Sequence, residues 1–282
     1  FFDRTYFGGD ANFIDSSFSQ AAEFNETILN SEASFEGAQF AGSTRFSGAI
    51  FNDTALFVSA QFDGNTSFEQ TQFRRESFFA QAKFNKIAEF ADCRFHEATS
   101  FRESEFLIDA AFHNTSFLGP SDYTASQFRG SVDFGGSRFM EDADFCSVSF
   151  NGPADFSRST FLEKINLQDT EFKKNVHFES CRINTLNLTR SRYEWLFLHW
   201  DSVNHLEKDD QAHQKLIENY ERLQWETDSS ECRSAHSNET AEPAIDYSWI
   251  MGLLDIDRLA KGFALLPDRG ADTNPTWSYG IE

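Results

Sequence analysis

The sequence predicts an all-β solenoid of about eight coils followed by a small helical C-terminal region. Three observations predict it. A bulky apolar residue recurs at alternating steps of six and five; a small residue stands two places before each; and glycine recurs two places after. The bulky series runs from Phe7, Phe13, Phe18, Phe24, Leu29, Phe35 and Phe40 to Leu167, Phe172, Phe178, Ile183 and Leu188, and 29 of its 34 members are Phe. That is an eleven-residue unit sustained for about 180 residues.

The small slot holds Ala11, Ser16, Ala22, Thr27, Ala33, Ala38 and Thr44, later Cys93, Thr99, Ser104 and Ala110; only Ile165 and Leu186 are larger than Val. Residues two apart in an extended chain face the same way, so each unit offers one small and one large inward side chain. A helical supercoil also has an eleven-residue period. On a helix, however, these positions would surround the axis instead of forming one apolar stripe. The filler between them is Asn, Asp, Gly, Ser and Thr, which favour turns. Helix is rejected. Gly9, Gly37, Gly42, Gly48, Gly64, Gly119, Gly130, Gly136 and Gly152 share one offset, and Gly-Pro recurs at 119–120 and 152–153. These mark corners, with the extra residue of each six-step bulging at alternate ones.

Segments such as Ala33-Ser34-Phe35-Glu36-Gly37-Ala38-Gln39-Phe40 resemble the pentapeptide-repeat family, in its Phe-centred form with alternating five- and six-residue steps. The resemblance covers residues 2–198 and implies a right-handed quadrilateral β-helix. Its core stack is expected to include Phe35, Phe40, Phe46, Phe51, Phe57, Phe62, Phe68, Phe73, Phe84 and Phe95. The last coil turns to strict fives through Ile183, Leu188, Tyr193 and Leu198, as at a cap. The start, Phe1-Phe2, has neither an initiator Met nor a cap, which reads as a fragment or processed form.

Domains are expected at 1–200, the repeat, and 201–282, an acidic helical extension. A helix is expected from Asp201 or Ser202 to about Trp225, using Leu216, Ile217, Tyr220 and Leu223. A polar link over 227–242 and a second helix over 247–263 follow. Family members dimerise through such C-terminal helices, so Trp249, Ile250, Leu253 and Leu254 are the expected self-association patch. Lys215 to Leu223 is also similar to a segment that precedes channel-type membrane helices in some members.

Asp plus Glu number 45 and Lys plus Arg 24, a formal charge of −21. Direct nucleic-acid binding is excluded on that balance. No apolar run reaches ~18 residues, so no membrane span is encoded. Scattered Cys93, Cys146, Cys181 and Cys232 form neither a zinc motif nor a disulfide framework, which points to the cytoplasm. Cys93 and Cys181 share the small slot four coils apart, beyond bridging reach. His205, Asp209 and His213 share a possible helical face but lack an open metal signature, and read as surface residues. No catalytic, metal or cofactor residue is expected.

Two readings of the acidity remain. Solvation, as in a salt-adapted prokaryote, accounts for charge spread along the whole chain. Mimicry of DNA is the other, because the resemblance includes mimics that bind type II topoisomerases such as gyrase. The expected function is a non-catalytic scaffold for an unknown protein partner; a DNA mimic and the soluble part of a channel-type protein are alternatives. With every face polar, none is expected to stand out.

Overall fold

The computed structural model describes residues 1–237 and has the expected parallel β-solenoid followed by a helical region, here two helices. Most strands are two residues long, and each pairs in parallel with the strand 22 residues on, as in Tyr6↔Ile28↔Ile50, Ala33↔Ala55, Phe18↔Phe40 and Ala22↔Thr44. Two eleven-residue units therefore make one coil. Each coil has four faces, which we number from the strands Ala22–Glu23, Ile28–Leu29, Ala33–Ser34 and Gln39–Phe40.

The first face stacks nine strands, one more than the eight coils expected. The ninth is Leu196–Phe197, paired with Val176–His177, and the stack also reaches past the expected coils at both ends. Phe2 already stacks on Phe24 at 4.8 Å, and Val203–Leu206 adds a strand paired with Ile183 and Leu186.

Identical register puts identical side chains above one another. Ring centroids in a column lie 4.8 Å apart for Phe35 and Phe57, and 4.9 Å apart for Phe40–Phe62, Phe46–Phe68, Phe51–Phe73 and Phe62–Phe84; Phe73 and Phe95 lie at 4.7 Å. All ten Phe singled out above have no more than 1% of their surface exposed. Columns meet one another edge-on, as Phe46 meets Phe57 at 85° and 5.5 Å. Offset stacks within columns and edge contacts between them are the two favoured geometries for aromatic pairs.

The small slot carries more than its size. Thr71 Oγ1 donates to the Phe46 carbonyl at 2.7 Å, Ser137 Oγ to Phe112 at 2.6 Å and Ser159 Oγ to Phe134 at 2.7 Å, each reaching the preceding coil. Cys93 and Cys181 use their thiols the same way, toward Phe68 and Phe156 at 2.9 and 2.8 Å. Burial pushes both thiols up, Cys181 to about 12, so they stay protonated donors.

The two step lengths close differently. Five-residue steps turn through four residues such as Phe13 to Ser16, with Ser16 N–H donating to the Phe13 carbonyl and Asp15 at φ 53. This is the position where a type II turn requires positive φ. Gly37, Gly48 and Gly136 fill it, but so do Glu26, Gln70 and Ala125. At six-residue corners glycine has another role: a Cβ on Gly64 would lie 2.5 Å from the Gly42 carbonyl of the coil below.

After Phe161 the corner between the second and third faces straightens. Thr160–Asn166 and Arg182–Asn187 run through it as single strands with a register shift. The last coil shortens to 20 residues, pairing Ile183 with Val203 and Val176 with Leu196. Strict five-residue steps cause this, because the bulging corner residue is lost.

The helix expected from Asp201 starts later. Trp200–Ser202 is a short 3-10 turn, and Val203 and Leu206 point inward to complete a strand. Helix α1 is Asp210–Leu223, capped by Asp209, whose carboxylate accepts from Gln211 and Ala212 N–H at 2.9 and 3.1 Å. The expected polar link is largely a second helix, α2, Glu226–Ser237. Tertiary contact overrides its polar composition: Ser229 and Cys232 are buried, and Asp228 accepts from Trp200 N–H at 2.6 Å.

One column member departs from the rule. Tyr123 lies between Phe101 and Phe145 at 5.0 and 4.7 Å, fully buried, and its hydroxyl has no partner among the described residues. Tyr123→Phe restores the column and removes a desolvated donor, so it is expected to stabilise the protein by about 1–3 kcal/mol, read as a higher midpoint in calorimetry.

Candidate interaction faces

Side chains alternate in and out along each short strand, so register alone decides what each face displays. On the first face one outward column reads Glu23, Arg45, Ser67, Glu89, Ala111, Asp133, Asp155 and His177. With Glu69 and Glu179 in the adjoining column, this face is acidic. A shallow depression of about 320 Å³ lies along it, lined by Glu89, Asp133, Asp155 and His177 among others. His177 Nδ1 lies 3.1 Å from the Glu179 carboxylate, and its ring stacks on Phe197 at 4.7 Å.

The second face is different in kind. Its first column is Tyr6, Ile28, Ile50, Gln72, Arg94, Ser116, Arg138, Thr160 and Arg182. The adjoining column, one residue beyond each inward side chain, includes Arg74, His96, Leu118, Met140 and Leu162. Neither column holds an acid. Among the described residues, Arg74, Arg94, Arg138 and Arg182 form no ion pair or side-chain hydrogen bond, whereas Arg75 on the corner pairs with Glu97 at 2.5 Å. His96 is held below its ordinary range by burial, then by Arg94 and Arg74. The expectation that no face would stand out is therefore corrected: the register collects four unpaired arginines of an acidic chain on one acid-free face.

The third face carries Asp122 and Asp144 in one column. Asp144 accepts from Cys146 N–H at 2.8 Å and Asn166 Nδ2 at 3.0 Å. Burial, with the Asp122 charge added, raises its carboxyl above the usual range. The fourth face is mixed and cross-linked, with Lys83 at 3.5 Å and Arg129 at 3.4 Å from Glu105. Such pairs tie one coil to the next but are exposed, and each contributes little.

The C-terminal end is closed by α1. Leu216, Ile217 and Tyr220 are buried, and Asn219 does the specific work of an extra strand. Its Oδ1 accepts from Leu196 N–H at 3.1 Å and its Nδ2 donates to the Leu196 carbonyl at 2.8 Å, so one amide satisfies the last strand edge. Lys215 Nζ donates to the Ser191 carbonyl at 2.6 Å above the Tyr193 ring, and His199 stacks on Trp225 at 4.2 Å while facing Asp228.

His205 and Asp209 fall on the closing strand and the α1 cap. His213 is buried on α1, with its ring against His236 at 4.7 Å. No group of three His, Cys, Asp or Glu able to hold a metal occurs among the described residues. No helix among them is long and apolar enough to cross a membrane. Trp249, Ile250, Leu253 and Leu254, with the expected second helix over 247–263, lie outside the described residues. Sequence reasoning missed Asn219 and the arginine face; the 44-residue spacing of Arg94, Arg138 and Arg182, two coils each, was the available signal for the latter.

A stack of parallel coils with side chains in fixed columns defines a β-solenoid repeat protein. The family profile described as "Pentapeptide repeats (9 copies)" matches three stretches, residues 2–50, 79–122 and 112–160, and the chain belongs to that family. No curated protein matches the sequence. Among solved structures, a trypsin-treated variant of QnrB1, a plasmid-mediated fluoroquinolone resistance protein, aligns over 77% of this chain and 93% of its own, at 16% identity and a TM-score of 0.37.

Two outcomes follow for stability. Asn219→Ala strands the buried N–H and carbonyl of Leu196 and is expected to cost about 2–4 kcal/mol in urea unfolding. A carboxyl whose folded pKa lies above its unfolded value destabilises at neutral pH, and that cost fades as pH falls through the folded pKa. Asp144→Asn keeps the acceptor for Cys146 and is expected to be the more stable form at pH 7. Its advantage should shrink toward zero near pH ~4, followed by thermal unfolding across that range.

Proposed function

We propose that this protein is a non-catalytic scaffold that presents a partner protein with rigid columns of side chains. The observation that carries it is the register: one set of hydrogen bonds fixes an acidic face, an acid-free arginine face and a cross-linked face on a single rod. Rigid display lowers the ordering cost of binding, because the outward residues are already held at fixed spacing. Repeat solenoids bind through extended surfaces of this kind.

A second reading, imitation of DNA toward a type II topoisomerase such as gyrase, is favoured by the acidic column of the first face, in which Asp133 and Asp155 sit on adjacent coils. The two readings separate experimentally. Immobilised full chain is expected to retain a stoichiometric protein partner from lysate at low salt and release it as salt rises. Turnover of a substrate through a named residue pair, or no retained partner, would overturn the scaffold reading. Inhibition of gyrase supercoiling at micromolar protein and low salt would select the mimic.

A further inference from the structure

We propose that the second face is a docking surface for an acidic amphipathic helix of a partner protein. This rests on the scaffold reading and assigns it a place and a partner chemistry.

The face carries two parallel stripes. Arg94, Arg138 and Arg182 occupy one outward column at intervals of 44 residues, two coils each. At ~4.8 Å per coil they stand about 9.6 Å apart. Leu118, Met140 and Leu162 form the second stripe on three successive coils, each two residues along the strand from Ser116, Arg138 and Thr160 and so about 6.7 Å to the side. The arginines are exposed and the three apolar residues half-buried.

An α-helix rises about 10.5 Å in seven residues, so carboxylates at i, i+7 and i+14 fall opposite the three arginines. Apolar residues at i+3 or i+4 would then lie on the Leu–Met–Leu stripe. An extended strand repeats its same-side residues every ~6.7 Å and misses this spacing. A nucleic acid fits less well, because a long polyanion meets the whole chain at −21. A helix about 20 Å long feels mainly charges within the Debye length of ~8 Å. Inside that range the carboxylates sit on the adjoining corner column, where Arg75 engages Glu97 while the exposed Glu141 and Glu163 flank Met140 and Leu162, so the docked helix must carry its carboxylates on the arginine edge and none on the edge beyond the apolar stripe. Arginine suits the role, since its planar fork takes a carboxylate bidentately.

The test titrates the full chain into a fluorescein-labelled, helix-stabilised 18-residue peptide with Glu at i, i+7 and i+14 and Leu along one adjacent edge, followed by anisotropy at ~50 mM salt. The expected result is saturable binding that weakens at least tenfold in R94Q/R138Q/R182Q and not in K83Q/R129Q on the fourth face. Both variants are checked by circular dichroism, with R138E as a second probe should the triple variant fail to fold. The proposal is overturned by no saturation, by unchanged binding of the triple variant or R138E, or by equal binding of a peptide with the same composition in scrambled order. It is also overturned if a DNA duplex binds the same arginines as tightly. These failures leave the retention of a protein partner through another face untouched, so the surface and the scaffold reading fall separately.

Discussion

Everything in this structure depends on the parallel stacking of one coil on the next. Backbone N–H groups reach the carbonyls of a neighbouring coil, as Phe35 does toward Leu56 at 2.7 Å and Asn52 toward Leu29 at 2.8 Å. That contact fixes the layer spacing near 4.8 Å, and a flat ring is a side chain that fills such a spacing face to face. Hence the sequence uses Phe so heavily, and hence each ring is held by its column before its neighbours on the same coil matter. Burial of one such ring contributes roughly 1.5–3 kcal/mol, and the repetition multiplies that term along the rod.

The same constraint generates the surface. Outward residues inherit the register of the inward ones, so residues 22 apart in sequence are neighbours in space. Charges that look scattered along the chain become columns: Asp133 over Asp155 on one face, Arg94 and Arg138 on another with Ser116 between them. Net charge therefore describes this protein poorly, since the −21 total coexists with a face bearing only positive charge. For a repeat rod the local field within a Debye length is the relevant quantity.

Much of the fold was legible in the sequence because a period of eleven repeats often enough to overwhelm local noise. The small slot and the corners were legible for the same reason. Less visible was chemistry that occurs once. Asn219 acts as a strand cap through one amide in the middle of an ordinary helical pattern, and nothing at that position marks it. The polar stretch after Trp225 is helical because Cys232 and Ser229 pack inward, a tertiary cause that propensity does not contain. Corners reached through Gln70 and Ala125 at positive φ were hidden behind the more conspicuous glycines. The arginine face needed the register, which the repeat supplies only once coils are aligned in pairs of units.

The coil holds two eleven-residue units, and this has a consequence for how such a chain changes over time. Gain or loss of 22 residues lengthens or shortens the tube by one layer and leaves every ladder of like side chains continuous. Gain or loss of eleven preserves the aromatic filling equally well but turns all that follows through half a revolution, so that its arginines emerge on the opposite side. Folding would tolerate either event; recognition by any partner that reads along the axis would tolerate only the first.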